Sequence, residues 1–158
     1  MKHCARAIVL MALLFPALVF AQTDTVDVPD FFANGEGTLN AAVSAAITAG
    51  TLSNKVFRLQ PFGLYVLNAT ITVPAGKKLT IVSADPGTTQ QTAPPMICWT
   101  PSTGVSTTWN FDCFGDIYMK NIWLLYATTQ TTGLGTQVGS ALEIDQDTTD
   151  NLNIGRFQ

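Results

Sequence analysis

Asp116-Ile117-Tyr118-Met119-Lys120-Asn121-Ile122-Trp123-Leu124-Leu125-Tyr126 is the stretch on which the fold turns. Ile117 and Met119 alternate with Tyr118 and Lys120, and the apolar positions then resume one residue out of step at Ile122 and Leu124. Side chains of a strand point alternately to opposite faces, so one core can be served across that slip only if the chain bends at Lys120 and Asn121. Asparagine suits such a bend because it enters the left-handed region at lower cost than other residues with a Cβ. The other reading is one straight strand, apolar on both faces, in the core of a sandwich. The bent reading makes the stretch one turn of a solenoid, with Ile117, Met119, Ile122 and Leu124 feeding the core.

Working outward, residues 56–59, 64–67, 70–73, 78–84, 96–100, 109–114, 117–126 and 141–144 read as strands. Turn residues separate them, among them Pro61 and Gly63, Asn68, Pro74 and Gly76, Pro86 and Gly87, and Gly115. Leu79, Ile97, Ile117 and Leu142, taken as equivalent positions, recur at intervals near one solenoid turn, about 20 residues or more. An antiparallel sandwich also produces short strands at close spacing, so the intervals leave that alternative open. Residues 38–50 form the one amphipathic helix: Thr38 is placed to cap it, Leu39, Ala42, Val43, Ala46 and Ile47 share a face, and Gly50 stops it. Such a helix would cap the first turn. Residues 22–37 read as an extended leader whose Phe31 and Phe32 dock on the body, and residues 51–158 as the first coils. Residues 85–95 and 128–139 are Thr- and Gln-rich loops, to be read either as a binding face or as plain surface. The chain stops at Gln158 as a new strand begins, so a piece of a longer protein is expected.

Composition points to an extracellular β protein, with 12% charged and 47% apolar residues. A net charge of −3, with no basic stripe, points away from nucleic acid. Lys2, His3 and Arg6 precede an apolar run at 8–20, and Val19-Phe20-Ala21 presents small residues to a signal peptidase. Residues 1–21 are therefore expected to be a signal peptide cleaved between Ala21 and Gln22, too short to anchor in a membrane. Secretion or display at the cell surface follows, with no transmembrane segment in the mature chain. Six basic residues then face 11 acidic ones. Cys98 and Cys113 remain as the only thiols, available for a disulfide in an oxidising compartment or packed as two buried free cysteines. The only histidine leaves with the signal, and two thiols do not make a metal site. No cofactor is expected.

Five segments carry a resemblance. Gly35-Glu36-Gly37-Thr38-Leu39-Asn40-Ala41-Ala42-Val43, Val56-Phe57-Arg58-Leu59, Gly63-Leu64-Tyr65-Val66-Leu67, Ile71-Thr72-Val73 and Lys78-Leu79-Thr80-Ile81-Val82 follow one another in order. The run resembles the opening of secreted bacterial right-handed parallel β-helix proteins of the pectate-lyase-like superfamily, and the Lys120-Asn121-Ile122 turn adds a weaker match. The chain departs from their pattern in its Thr-rich loops and in Ser83-Ala84, where glycine often stands. The resemblance implies a mainly β fold, a right-handed parallel β-helix with an N-terminal capping helix. It covers polysaccharide lyases and glycoside hydrolases, and also adhesins and surface proteins, so fold is specified better than activity.

Lyases of such families generally hold calcium through carboxylates and use a basic residue to abstract a proton. The nearest counterparts are Asp112, Asp116 and Lys120, which otherwise read as solvated turn and strand residues. A second cluster, Glu143, Asp145, Asp147 and Asp150, could serve paired-carboxylate hydrolysis or stand as a solvated acidic loop. Neither assembles a catalytic set, and no nucleophile elbow, phosphate loop or zinc spacing is present. Asn68-Ala69-Thr70 is a glycosylation sequon, relevant only in a eukaryotic secretory route. The expected role is structural, adhesive or carbohydrate-binding, with polysaccharide or cell-surface components as partners. The alternative is the N-terminal part of a polysaccharide-degrading enzyme.

Overall fold

The computed structural model of the protein describes residues 23–99, 109–128, 140–144 and 156–157. The expected signal peptide, its Ala21–Gln22 cleavage point, the loop at 129–139 and Asp145, Asp147 and Asp150 lie outside the described residues. Eleven strands and two α-helices are described: β1 (Asp24–Val28), α1 (Phe31–Asn34), α2 (Thr38–Thr48), β2 (Lys55–Leu59), β3 (Leu64–Leu67), β4 (Ile71–Val73), β5 (Lys78–Val82), β6 (Met96–Trp99), β7 (Trp109–Cys113), β8 (Asp116–Lys120), β9 (Trp123–Thr128), β10 (Ser140–Ile144) and β11 (Arg156–Phe157). Among the described residues, no helix is long and apolar enough to cross a membrane.

The strands form three sheets, none closed into a barrel. Sheet I runs β1-β2-β5-β8-β11, sheet II runs β3-β6-β9 and sheet III runs β4-β7-β10. Every pairing is parallel. From β2 onward the chain visits sheets I, II and III in turn, three times over, and re-enters sheet I at β11. Each strand pairs with its counterpart one circuit earlier. The antiparallel sandwich is thereby excluded, because its neighbouring strands run in opposite senses.

Side chains that face inward stack rung on rung. Val26, Phe57, Ile81 and Met119 make one ladder, Leu79 and Ile117 a second, Tyr65, Ile97 and Leu124 a third, and Ile71 and Phe111 a fourth. Phe57, Leu79, Ile81, Ile97, Phe111 and Ile117 are completely buried, each contributing roughly 1.5–3 kcal/mol through burial. Helix α2 adds Leu39, Val43 and Ala46 to the same core, as its 3.6-residue periodicity requires. The rungs also revise the expected period. Leu79 lies in sheet I and Ile97 in sheet II, so they are not equivalent; the rung partner of Leu79 is Ile117, and that of Ile97 is Tyr65. The circuits are longer and less regular than the sequence intervals, because insertions between strands change spacing without changing register.

The phase slip at 120–121 is a bend between sheets. β8 ends at Lys120, β9 begins at Trp123, and Asn121 has φ 58°, in the left-handed region. Its Nδ2 donates to Asp85 Oδ1 at 2.8 Å and lies 3.2 Å from the Ala84 carbonyl, binding this corner to the one a circuit earlier. Of the expected core residues, Ile117 is completely buried, while Met119, Ile122 and Leu124 are partly buried against the core. Asn121→Ala should cost about 1–2 kcal/mol through backbone strain and the lost amide bonds, whereas Asn121→Gly should cost less. Equal losses in urea melts would show that the left-handed conformation is not what asparagine supplies.

Three local expectations change. Residues 24–28 are no free leader but edge strand β1, with Asp24 ion-paired to Lys55 and Asp27 to Arg58 on β2. Phe32 does not dock: it is 77% exposed and meets the partly covered Phe31 edge-to-face at 5.8 Å. The cap of α2 is Gly37, at φ 77°, with no side-chain cap from Thr38. Gly37 donates its N–H to the Val66 carbonyl at 2.8 Å, and its positive φ is what calls for glycine there, since the Asn68 amide that a Cβ would meet can swing aside.

Cys98 and Cys113 are both free and buried. Cys113 lies in the core cluster, but Cys98 alternates with core-facing Ile97 and so belongs to the opposite face of sheet II. Side chains directed to opposite sides of the wall cannot be bridged without backbone movement. Burial, helped by the charge of Asp112, pushes the Cys113 thiol up to about 12, and burial raises that of Cys98. A folded-state pKa raised above the unfolded value stabilises below the unfolded value, near 9, and that stability is lost as pH rises toward 12. Melting temperature should therefore fall between pH 9 and 12. Both thiols should react under denaturing, non-reducing conditions; a protected pair would mean a disulfide forms instead.

Candidate functional site

Where the first circuit leaves sheet II, the chain turns through Asn68, Ala69 and Thr70 into β4, and α2 lies alongside. Asn40, on the polar side of α2, joins the two: its Nδ2 donates to the Ala69 carbonyl at 2.6 Å and its Oδ1 accepts from the Asn68 N–H at 3.2 Å. Both halves of the amide are thus used to hold the helix beside the turn. Between them lies a groove of about 470 Å³. Val43, Ile47 and Ile71 supply its apolar lining, and Asn40, Ser44, Asn68, Thr70 and Thr72 its polar one. Among the described residues, no charged side chain lines it.

The groove continues onto the outer face of sheet III, because β4 is both its wall and the first strand of that sheet. Ile71 and Val73 face the core, so Thr72 between them faces outward and is exposed. Its rung partner on β7 is Asp112, flanked by core-facing Phe111 and Cys113, and the register carries on to Glu143 of β10. At the start of β7, buried Asn110 donates its Nδ2 to the Leu125 carbonyl at 2.9 Å, fastening sheet III to β9 of sheet II.

These positions rearrange the sequence candidates. Asp112 lies in sheet III, whereas Asp116 and Lys120 lie on β8 of sheet I, so the three do not converge. Lys120 instead pairs with Asp85 at 2.9 Å, and this bond holds the Asp85 carboxyl below its ordinary value and raises Lys120 above its own. Asp116 is the register partner of Lys78. The structure brings together Asp112 and Glu143, one from each cluster, on adjacent strands. Among the described residues, no three His, Cys, Asp or Glu side chains group as a metal site.

The bases gather on one sheet, in company with Asp24, Asp27 and Asp116. The six basic residues beyond residue 21 all lie on or directly beside strands of sheet I: Lys55, Arg58, Lys77, Lys78, Lys120 and Arg156. The strands of sheet III carry Asp112 and Glu143 and no base. No family model, curated protein or solved structure matches this chain. The site therefore has to be read from its own chemistry. Sequence reasoning missed Asn40, Ser44 and Thr70 as groove residues; the polar side of α2 was visible, but not the turn, 28 residues on, that it faces.

Proposed function

We propose that this is a secreted or cell-surface protein built as a right-handed parallel β-helix, which binds carbohydrate in the groove between α2 and β4. The cyclic order of the three parallel sheets and the left-handed asparagine corner support the β-helix reading. The observation that carries the binding role is the groove itself, lined by amides and hydroxyls over an apolar floor. Such groups exchange hydrogen bonds with sugar hydroxyls, while the apolar floor accepts the faces of sugar rings. The charged residues in register with Thr72, Asp112 and Glu143, are acidic, so the ligand is hydroxyl-rich and neutral rather than anionic.

Calorimetry against a panel of neutral and acidic oligosaccharides tests the reading. Ser44→Trp, which fills the groove from an exposed helix position, should abolish binding of a neutral oligosaccharide while leaving the fold intact. Retained binding would overturn the assignment. A second reading, polysaccharide hydrolysis by paired carboxylates, is favoured by the register of Asp112 with Glu143 on neighbouring strands of sheet III. New reducing ends that disappear in Asp112→Asn would establish it.

A further inference from the structure

Among the described residues, four large apolar side chains are exposed: Phe31, Phe32, Phe62 and Trp123, the last two at 45% and 52%. Phe62 and Trp123 stand where the chain leaves sheet I for sheet II, whereas after Phe31 and Phe32 the chain returns to sheet I at β2. Phe31 and Phe32 follow β1 in α1, Phe62 lies between β2 and β3, and Trp123 opens β9 just after the Asn121 corner. The corner between sheets I and II thus carries an exposed ring in the first and third circuits, and strand β3 stands between Phe62 and the turn that borders the groove.

Phe62 is held there against a local preference. Its φ is 59°, a region that costs a bulky side chain strain, and its N–H is fixed to the Ala93 carbonyl at 2.7 Å. Trp123 is fixed in the same manner, its N–H donating to the Pro95 carbonyl at 2.9 Å. Both rings are thus presented from anchored backbone. The outward rung of sheet II beside them, Leu64, Met96 and Trp123, is apolar. Beside the corner on sheet I, charge is balanced: Arg58 is paired with Asp27, and Lys120 with Asp85.

We infer that this corner is a second binding surface, independent of the groove, for a neutral polysaccharide chain lying along the stack with sugar rings against Phe62 and Trp123. Two circuits separate these residues, about 10 Å along the stack at the strand spacing. That is about the length of a disaccharide unit in an extended β-linked chain. The two rings thus lie one such repeat apart, and balanced ion pairs favour neither a polyanion nor a polycation. Flat aromatic faces supply large contact area at low conformational cost.

The test uses the full chain in affinity electrophoresis through a soluble neutral β-glucan and in sedimentation with cellulose. Retardation by glucan or cosedimentation with cellulose is expected. Trp123→Ala and Phe62→Asn should each weaken binding about tenfold or more, both in the parent chain and in a Ser44→Trp background whose groove is filled. Asparagine tolerates the backbone at 62, so circular dichroism and melting temperature should stay near those of the parent. Failure in both assays, binding indifferent to both aromatic variants, or binding confined to an acidic polysaccharide would overturn the inference. So would a dimer in sedimentation velocity that Trp123→Ala dissociates, since the aromatics would then serve a second copy of the chain. Loss of binding in Ser44→Trp alone would place the glucan in the groove and overturn the corner.

Discussion

Gly115→Ala should lower the stability of the protein by roughly 2–4 kcal/mol, a shift in melting temperature of about 10 °C. Gly115 is the turn between β7 and β8, where the chain passes from sheet III to sheet I. Its N–H donates to the Val73 carbonyl at 3.1 Å, and the next residue, Asp116, donates to the Lys77 carbonyl at 2.8 Å. A Cβ at 115 would overlap the carbonyl oxygens of both Lys77 and Pro74. Those oxygens belong to the turn one circuit earlier, which is closed by Lys77 N–H to Pro74 O at 3.1 Å. Backbone set in that way cannot swing aside as the end of a flexible side chain can. Gly76→Ala is the control: its φ is 68° but nothing lies within 4 Å, so strain alone should cost about 1 kcal/mol. Thermal melts in which the two variants lose equal stability would mean that stacking of successive turns is not what requires glycine at 115.

Ile117→Asp should prevent folding. Ile117 has no exposed surface and shares a rung with Leu79 in the sheet I ladder. An aspartate there would bury a carboxylate among aliphatic side chains, at a cost of more than about 4 kcal/mol on a total stability of about 5–15 kcal/mol. Ile122→Asp is the milder change, about 1–2 kcal/mol, because residue 122 is only partly buried at the corner and its charge can reach water. Circular dichroism of the two variants separates them: loss of the β signal for residue 117, a cooperative but lowered melt for residue 122. A folded Ile117→Asp would mean that the inward ladder is wrongly placed at β8.

Much of this wall was legible in the chain because its signal is local. Alternation at 56–59, 64–67 and 78–82 depends on residues within one strand, and each of these segments contributes to a strand of the sheets. The slip at Asn121 was legible for the same reason: a phase change together with a residue that tolerates φ 58° predicts a bend wherever it stands. The period was not legible. Leu79, Ile97 and Ile117 look alike in a list of apolar strand positions, and only pairing shows that Ile97 belongs to a different sheet. The docking expected of Phe32 failed because hydrophobicity does not fix which aromatic is covered. Exposure depends on what stands opposite, and here each phenylalanine meets the other.

Of the candidate site, the sequence determined the residue types: carboxylates at 112 and 143, an amide at 40, hydroxyls at 44, 70 and 72. It also determined that the chain forms short β-strands around one amphipathic helix, since alternation and the 3.6-residue period are local properties of side-chain direction. Tertiary structure alone decided which of those residues meet. Asp112 and Glu143 come together through parallel register between strands 31 residues apart, and Asp112 parts from Asp116 because two residues of turn carry the chain into another sheet. Register is set by the fit of inward ladders across circuits of unequal length, a long-range packing condition that no local window contains.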